Sequence, residues 1–370
     1  MFIVRKERES GIELLRIVAM FFIVLHHSVY HNAFVLLSQP LSVRRILLQL
    51  PLYTPGKVGV ALFFLISSWF LVDKVPTLMA SCRKVWILER ELLFWSIAIF
   101  TVELVSESGN VTADTWLSAI FPLVRGLWWY ASSYAVLLLL LPFILQGLRG
   151  IGRKHHAQCA MTMTFLWGVL NLIPGAALDV GLNITGFMYI IVLVSYHKWY
   201  MEPVNTRTAW LAMALSVIVI IVWNVVIPMV FQDNIGLTAE FLFALEREWG
   251  LPTLAVSFSL FILFQRMHFR SRIVNKIASS TFGVYLITDH PYVRDLLWKR
   301  WFDLTDYYNS HSCIAICLHV LVIAAVIFIV ALLVDLVRAL LFMMTVDRHK
   351  GELFDRMWVN LGNRWSFLSS

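Results

Sequence analysis

The chain has 370 residues, of which 59% are hydrophobic and only 14% are charged. A soluble domain has about 25% charged residues, so this composition excludes a soluble globular protein, which would have too little polar surface to cover itself. A net charge of +7 suggests nucleic-acid binding in a soluble protein, but basic inner loops of a membrane protein explain it better. The composition therefore predicts an all-α integral membrane protein whose partner is the lipid bilayer and not nucleic acid.

Apolar runs long enough to cross about 30 Å of hydrocarbon recur along the whole chain. Ten such runs cover, in chain order, 12–30, 57–73, 85–105, 128–148, 159–178, 183–199, 209–230, 251–266, 279–297 and 313–342. The ninth run is the weakest because Asp289, His290 and Pro291 interrupt it. The tenth is long enough to tilt in the bilayer or to extend past it. We therefore expect about ten transmembrane helices.

The basic residues predict the orientation of these helices. If the N-terminus lies inside, most of the 30 Lys and Arg residues fall in inner segments and at inner helix ends. Such a bias is typical of cytoplasmic loops, so we expect both termini in the cytoplasm and an even number of spans. We further expect a transmembrane domain over 1–342 and a cytoplasmic C-terminal tail over 343–370.

The first apolar run carries the polar side chains Glu13, Arg16, His26 and His27. An Arg at the centre of a transmembrane helix costs about 2.5–3.5 kcal/mol, so we expect these groups to face protein or a water-filled cavity. Arg16 and His27 are eleven residues apart, which places them within roughly 20° of each other around a helix and about 16 Å apart along it. Glu13 lies near the same face. His26 points about 100° away and is expected to be structural.

This pattern favours a catalytic role for His27, as a general base or as a transient carrier of an acyl group. Imidazole suits both tasks because its unperturbed pKa is about 6.5, close to the pH at which most enzymes work. The alternative is a histidine that joins two helices through an interhelical hydrogen bond. Arg16 and Glu13 on the same face favour function. His31, one turn beyond His27, is expected at the outer surface.

Basic residues also mark the cytoplasmic start of the third run, at Arg83, Lys84 and Arg90. Basic groups in this place can bind the phosphates of a cytoplasmic donor as point charges or as bidentate forks. The alternative is that they anchor the helix at the inner membrane surface, with a salt bridge from Glu89 or Glu91 to a nearby base.

Aromatic residues open the fourth run from outside, at Trp128, Trp129 and Tyr130. Stacked aromatic rings can recognise a sugar acceptor, although the aromatic belt of a membrane protein also accounts for them. In the ninth run, an Asp289–His290 pair is costly unless it is used or paired. The alternative for this pair is a structural kink.

Small and hydroxyl-bearing residues in the second run predict close helix packing. Gly56 and Gly59 have the spacing that lets two helix backbones approach each other. Ser67 and Ser68 are expected to pack rather than to act as nucleophiles, because no GxSxG motif surrounds them. The four Cys residues are scattered and no HExxH motif occurs, so we predict no metal site.

Four segments resemble the signature of membrane acyltransferase family 3. The first is Glu13-Leu14-Leu15-Arg16 followed by His27, and the others run from Gly59 to Ser67, from Trp128 to Pro142 and from Phe282 to Ile287. They occur in the family's order and cover roughly residues 10–340. Without an appended soluble esterase-like domain, the chain is similar to the O-acetyltransferases that modify exopolysaccharides, capsules and other cell-surface glycans.

The resemblance implies ten helices in a bacterial plasma membrane, acetyl-CoA as the donor, and transfer of an acetyl group to a sugar hydroxyl. It implies that Arg16 and His27 are essential, and that basic residues at the third helix are functional. Many members have Arg-x-x-Arg there, whereas this chain has Arg83, Lys84 and Arg90 at a different spacing. Further departures are Ser68 in place of the usual Gly, and Thr288 in place of the usual His, with His290 two residues later.

The sequence thus predicts a membrane O-acyltransferase, most simply an O-acetyltransferase acting on a polysaccharide or lipid-linked glycan. The predicted catalytic residues are His27, Arg16 and Glu13, the donor site is Arg83, Lys84 and Arg90, and the acceptor site is Trp128, Trp129, Tyr130 and His290. Two alternatives stay open. A transporter or flippase for a lipid-linked sugar would use the buried charges as its pathway, and inverted repeats, which would favour it, are not evident. The other is a polytopic membrane protein without catalytic activity.

Overall fold

The protein is helical and has no β-strand over the part that the computed structural model describes. The described residues are 9–40, 42–107, 109, 111–173, 178, 183–230, 248–349 and 351–362. Helices that are long and apolar enough to cross a membrane span Ser10–Tyr30, Val43–Leu71, Trp129–Gly150, Thr206–Val226 and Cys313–Met344. These helices confirm an all-α chain with several membrane-crossing helices. The number ten and the side on which the termini lie remain predictions.

Sixteen α-helices can be numbered along the described residues. They are α1 Ser10–Tyr30, α2 Val43–Leu48, α3 Thr54–Leu71, α4 Leu78–Ser106, α5 Ala113–Ile120, α6 Trp129–Gly150, α7 Gly152–Met163, α8 Asn183–Tyr200, α9 Thr206–Val230, α10 Leu251–Gln265, α11 Arg272–Ala278, α12 Thr281–Thr288, α13 Pro291–Asp295, α14 Thr305–Ser310, α15 Cys313–Met344 and α16 Glu352–Gly362. A π-helical turn, Gln49–Tyr53, joins α2 directly to α3. Another, Leu296–Trp301, follows α13.

The ninth predicted run is not one continuous helix, so that prediction is corrected. Helix α12 ends at Thr288, and α13 begins at Pro291. His290 between them has an extended backbone, with φ −62° and ψ 130°. The cause is Pro291, because a proline ring pushes the residue before it out of the helical region. The fifth predicted run also differs, since α7 begins at Gly152 and continues as a π-helical turn over Thr164–Val169.

Helix α1 lies in the interior of the helix bundle and not at its lipid-facing surface. It packs against α3, α10, α11, α12 and α15. Its residues Leu15, Ala19 and Val24 are fully buried. The contact with α3 is close, because a Cβ atom added to Gly59 would lie 2.6 Å from the carbonyl oxygen of Ala19. The spacing of small residues in α3 therefore allows α1 to hold polar side chains away from lipid.

Candidate active site

One carboxylate, that of Asp289, faces three nitrogen-bearing side chains beside the C-terminal end of α1. Its Oδ1 lies 3.7 Å from Nδ1 of His27, 3.7 Å from Nε2 of His31 and 3.7 Å from Nη1 of Arg294. The Asp289 side chain is only 7% exposed and that of His27 only 11%. The cluster therefore combines an imidazole with a nearby carboxylate in a largely water-excluded position.

The break between α12 and α13 positions the Asp289 carboxylate beside His27. Asp289 directly follows the last residue of α12, and its backbone N–H still donates to the carbonyl of Tyr285 at 2.9 Å. The extended backbone of His290 then redirects the chain, and Pro291 starts α13 without needing a hydrogen bond for its nitrogen. Arg294 follows one turn later, where its backbone N–H donates to the carbonyl of His290 at 2.8 Å. The break thus places Asp289 and Arg294 beside the end of α1.

The cluster forms one wall of a cavity of about 340 Å³. The remaining lining includes Tyr30, Lys57, Trp129 and Glu248. Nζ of Lys57 lies 3.0 Å from Oε1 of Glu248, and it also lies 5.9 Å from the centre of the Tyr30 ring. The cavity therefore offers both charged hydrogen-bonding groups and aromatic faces beside His27, which suits a polar, hydroxyl-bearing ligand.

His26 has a structural environment, although it also lines this cavity. Its Nδ1–H donates a 2.7 Å hydrogen bond to the carbonyl of Tyr53. Its ring stacks on Tyr30 with 5.1 Å between centroids, and its Cβ lies against Gly56 of α3. These contacts fix His26 between α1 and the π-helical turn, in line with its predicted structural role.

Glu13 and Arg16 lie together, but not beside His27. Oε2 of Glu13 accepts a 2.8 Å hydrogen bond from Nη1 of Arg16, three residues later on the same helix. The Glu13 side chain is 6% exposed and that of Arg16 is 20% exposed. Since Arg16 is about 16 Å from His27 along the helix, it does not contact the imidazole.

Two of the three predicted donor-binding cations are paired with carboxylates that follow α15 in the chain. Nε of Arg83 lies 3.1 Å from Oδ1 of Asp355, and Nη2 of Arg90 lies 3.0 Å from Oδ1 of Asp347. Lys84 is exposed. The predicted alternative of a salt bridge from Glu91 occurs at another base, Arg338 of α15, at 2.9 Å.

Among the four predicted acceptor residues, the structure brings only Trp129 to the cavity. Trp128 is buried, and its Nε1–H donates to the carbonyl of Leu286 at 3.1 Å. Tyr130 is buried against the rings of Phe63 and Phe187. His290 is buried too, with its ring 5.6 Å from that of Trp128.

Trp128, Tyr130 and His290 therefore have packing roles. At the start of α6 and at the helix break, these side chains are buried in the protein interior and do not line the cavity. Sequence reasoning missed Lys57, Glu248 and Arg294 as lining residues. For Lys57, its charge at the start of an apolar run could have indicated a role at the site. For Arg294, its place less than one turn after the Pro291 interruption could have done so.

The ligand atoms of His27, His31 and Asp289 lie within 4.8 Å of one another, close enough for a divalent cation. Arg294 is 3.7 Å from the same carboxylate oxygen, so it already supplies a positive charge beside this carboxylate. The cluster is therefore balanced by the chain's own residues, and we assign no metal to it.

A comparison with known proteins identifies the family. A family model described as an acyltransferase domain matches residues 9–336. No curated protein and no solved structure matches the chain. The matched region includes α1, the cavity and the whole Asp289 cluster. Since the match covers most of the chain, the protein belongs to acyltransferase family 3 and is a multi-pass membrane acyltransferase.

Proposed function

We propose that this acyltransferase moves an acetyl group from acetyl-CoA to a hydroxyl group of a cell-surface or exported polysaccharide sugar. The observation that supports this most directly is the polar and aromatic cavity beside His27. A sugar needs hydrogen-bonding partners for its hydroxyls and an apolar face for its ring. Lys57 and Glu248 supply the first, and Trp129 and Tyr30 supply the second.

In this proposal His27 carries the chemistry. As a general base, its free ring nitrogen takes the proton of the acceptor hydroxyl while the oxygen attacks the thioester carbonyl. The new C–O bond forms, the C–S bond breaks, and the proton passes to the departing CoA thiolate. As an acyl carrier, the ring nitrogen first forms an acetyl-imidazole with loss of CoA, and the acceptor hydroxyl then takes the acetyl group. Both routes give the same products, an ester and the CoA thiol.

The basic residues distant from His27 would bind the acyl donor. Arg83, Lys84 and Arg90 would bind the phosphates of acetyl-CoA at the cytoplasmic mouth. For Arg83 and Arg90 this requires the phosphates to displace Asp355 and Asp347. Arg16, held by Glu13, would stabilise negative charge on the donor between this mouth and His27.

The experiment uses purified full-length protein, labelled acetyl-CoA and a surface-glycan extract. We expect His27→Ala to lower transfer of the label by about 10²–10⁴-fold, the range for losing a general base, and Arg16→Ala to lower it strongly as well. His155→Ala, at an exposed position of α7, is the matched control and should transfer normally. Normal transfer by His27→Ala would overturn the catalytic assignment. If cells that carry these variants lose glycan export while acetylation of the glycan stays intact, the transporter alternative is favoured.

A further inference from the structure

We propose that Asp289 is the positioning residue for His27, which holds the imidazole in the orientation and tautomer that acyl transfer needs. This inference rests on the proposed function. It concerns a residue that the sequence marked only as part of a costly Asp–His pair. His290, the other member of that pair, is turned toward Trp128 and is not in the cluster.

The first observation is an unused hydrogen-bonding atom. Nδ1 of His27 is buried and has no hydrogen-bond partner, and Oδ1 of Asp289 lies 3.7 Å from it. A buried polar atom without a partner is costly, about 1–3 kcal/mol. A shift of less than 1 Å would close this gap, and catalytic hydrogen bonds are often long in the absence of substrate and shorten when it binds.

The second point is that such a bond would decide which ring nitrogen of His27 carries the proton. A neutral imidazole carries its proton on one nitrogen only. If Nδ1–H donates to Asp289, Nε2 keeps its lone pair and can accept the proton of a hydroxyl or attack a thioester carbon. The same carboxylate stabilises the imidazolium that forms when Nε2 takes the proton. Asp289 would therefore act on the reaction only through His27.

The third observation is that two further side chains lie close to the same carboxylate oxygen. Arg294 approaches the same oxygen from α13, and His31 approaches it from one turn beyond His27. The backbone of Asp289 is itself fixed by the end of α12. A carboxylate whose backbone is fixed by a helix end can orient a histidine, whereas one on a free loop would follow the imidazole.

A purely structural role is the alternative, because Asp289 also connects α1 to the helix break. The two roles differ in what they change. A structural role predicts a smaller folded fraction with normal turnover per folded molecule. The positioning role predicts a folded protein that binds acetyl-CoA normally and turns over slowly.

The test measures kcat, the KM for labelled acetyl-CoA and thermal unfolding of full-length protein, with the surface-glycan extract as acceptor. For Asp289→Asn, which keeps the shape of the side chain but not its charge, we expect kcat to fall by about 10²-fold or more with KM unchanged. Asp289→Glu should recover part of kcat. The matched control is Asp295→Asn in α13, where the half-exposed Asp295 pairs with Lys299 at 2.9 Å, and it should behave as the parent protein.

A double variant separates this inference from the proposed function. If Asp289 acts through His27, adding Asp289→Asn to His27→Ala should lower transfer no further. A further loss in the double variant, or unchanged kcat in Asp289→Asn alone, would overturn the positioning role while leaving His27 in place. Normal transfer by His27→Ala would instead overturn the catalytic role of His27, and no transfer by the parent protein would overturn the proposed function. If Asp289→Asn does not fold, Asp289→Glu tests the positioning role instead. A normal kcat in that variant would show that the position of the carboxylate relative to His27 does not matter, and would overturn the inference.

Discussion

Arg90 of α4 donates a hydrogen bond to Asp347, with 3.0 Å between Nη2 and Oδ1. Arg83, nearly two turns earlier, makes a similar pair with Asp355 of α16, and the ring of Trp86 lies 6.2 Å from that of Phe354. We call residues 346–362 the C-terminal segment. It pairs with two of the cations proposed to bind the donor, so in that proposal donor phosphates would have to compete with Asp347 and Asp355 for the guanidinium groups.

We therefore expect the double variant Asp347→Asn/Asp355→Asn to bind the donor more tightly. Partly exposed ion pairs contribute about 0.2–1 kcal/mol each, so loss of both pairs should lower the KM for acetyl-CoA by about two- to thirtyfold with kcat unchanged. Steady-state kinetics over a range of acetyl-CoA concentrations measures this. Asp306→Asn, in the exposed part of α14, is the control. A rise in KM would show that the two carboxylates support the donor site instead of competing for it.

The Lys57–Glu248 pair gives a second prediction. Both side chains are mostly buried, at 17% and 18% exposed, so removal of one charge leaves the other poorly compensated. We expect Lys57→Met and Glu248→Gln each to destabilise the protein by about 2 kcal/mol, and the double variant to lose less than the sum of the two. Thermal unfolding in detergent or in lipid discs gives these values. Simple additivity would mean that the pair does not stabilise this wall of the cavity.

The close contact of α1 with α3 gives a third prediction. A methyl group at Gly59 would lie 2.6 Å from the carbonyl oxygen of Ala19, so Gly59→Ala should push the two helices apart and lower both the unfolding temperature and transfer by His27. Gly147→Ala in α6 is the matched control, because no atom lies within 4 Å of a Cβ added there. Since Ala favours helix over Gly by about 1 kcal/mol, the control should be as stable as the parent or more stable.

A fourth prediction concerns metal ions. Arg294 already faces the carboxylate of Asp289, so treatment with EDTA should leave acetyl transfer unchanged. Added Zn²⁺ should inhibit, because His27, His31 and Asp289 can bind it with ligand atoms within 4.8 Å of one another. Inhibition should weaken in His31→Gln. Loss of activity on EDTA treatment, restored by a divalent cation, would contradict a reaction carried by His27 alone.

Features set by neighbouring residues could be predicted from the sequence. Glu13 and Arg16 are three residues apart on a helix, a spacing at which side chains meet, and they do form an ion pair. The close approach at Gly59 follows from the need for a small residue where two helix backbones meet. The position of His26 away from the face of His27 follows from helical geometry alone.

Features set by tertiary packing could not be predicted in this way. The inward turn of Trp128 depends on the carbonyl of Leu286, which the helix break at Asp289 leaves within reach. The pairing of Arg83 and Arg90 with the C-terminal segment depends on how that segment folds back on α4. The place of Asp289 beside His27 depends on the direction of the chain after Thr288, which Pro291 signals as a break but does not orient.

The two polar pairs of α1 differ in when they can form during synthesis of the chain. Glu13 and Arg16 pair within one helical turn, so this neutralisation is available as soon as the first helix enters the membrane and lowers the cost of insertion. His27 meets Asp289 only later, because Asp289 follows twelve of the sixteen described helices in the chain. A chain truncated before Asp289 would therefore keep the Glu13–Arg16 pair of α1 and lack the carboxylate beside His27.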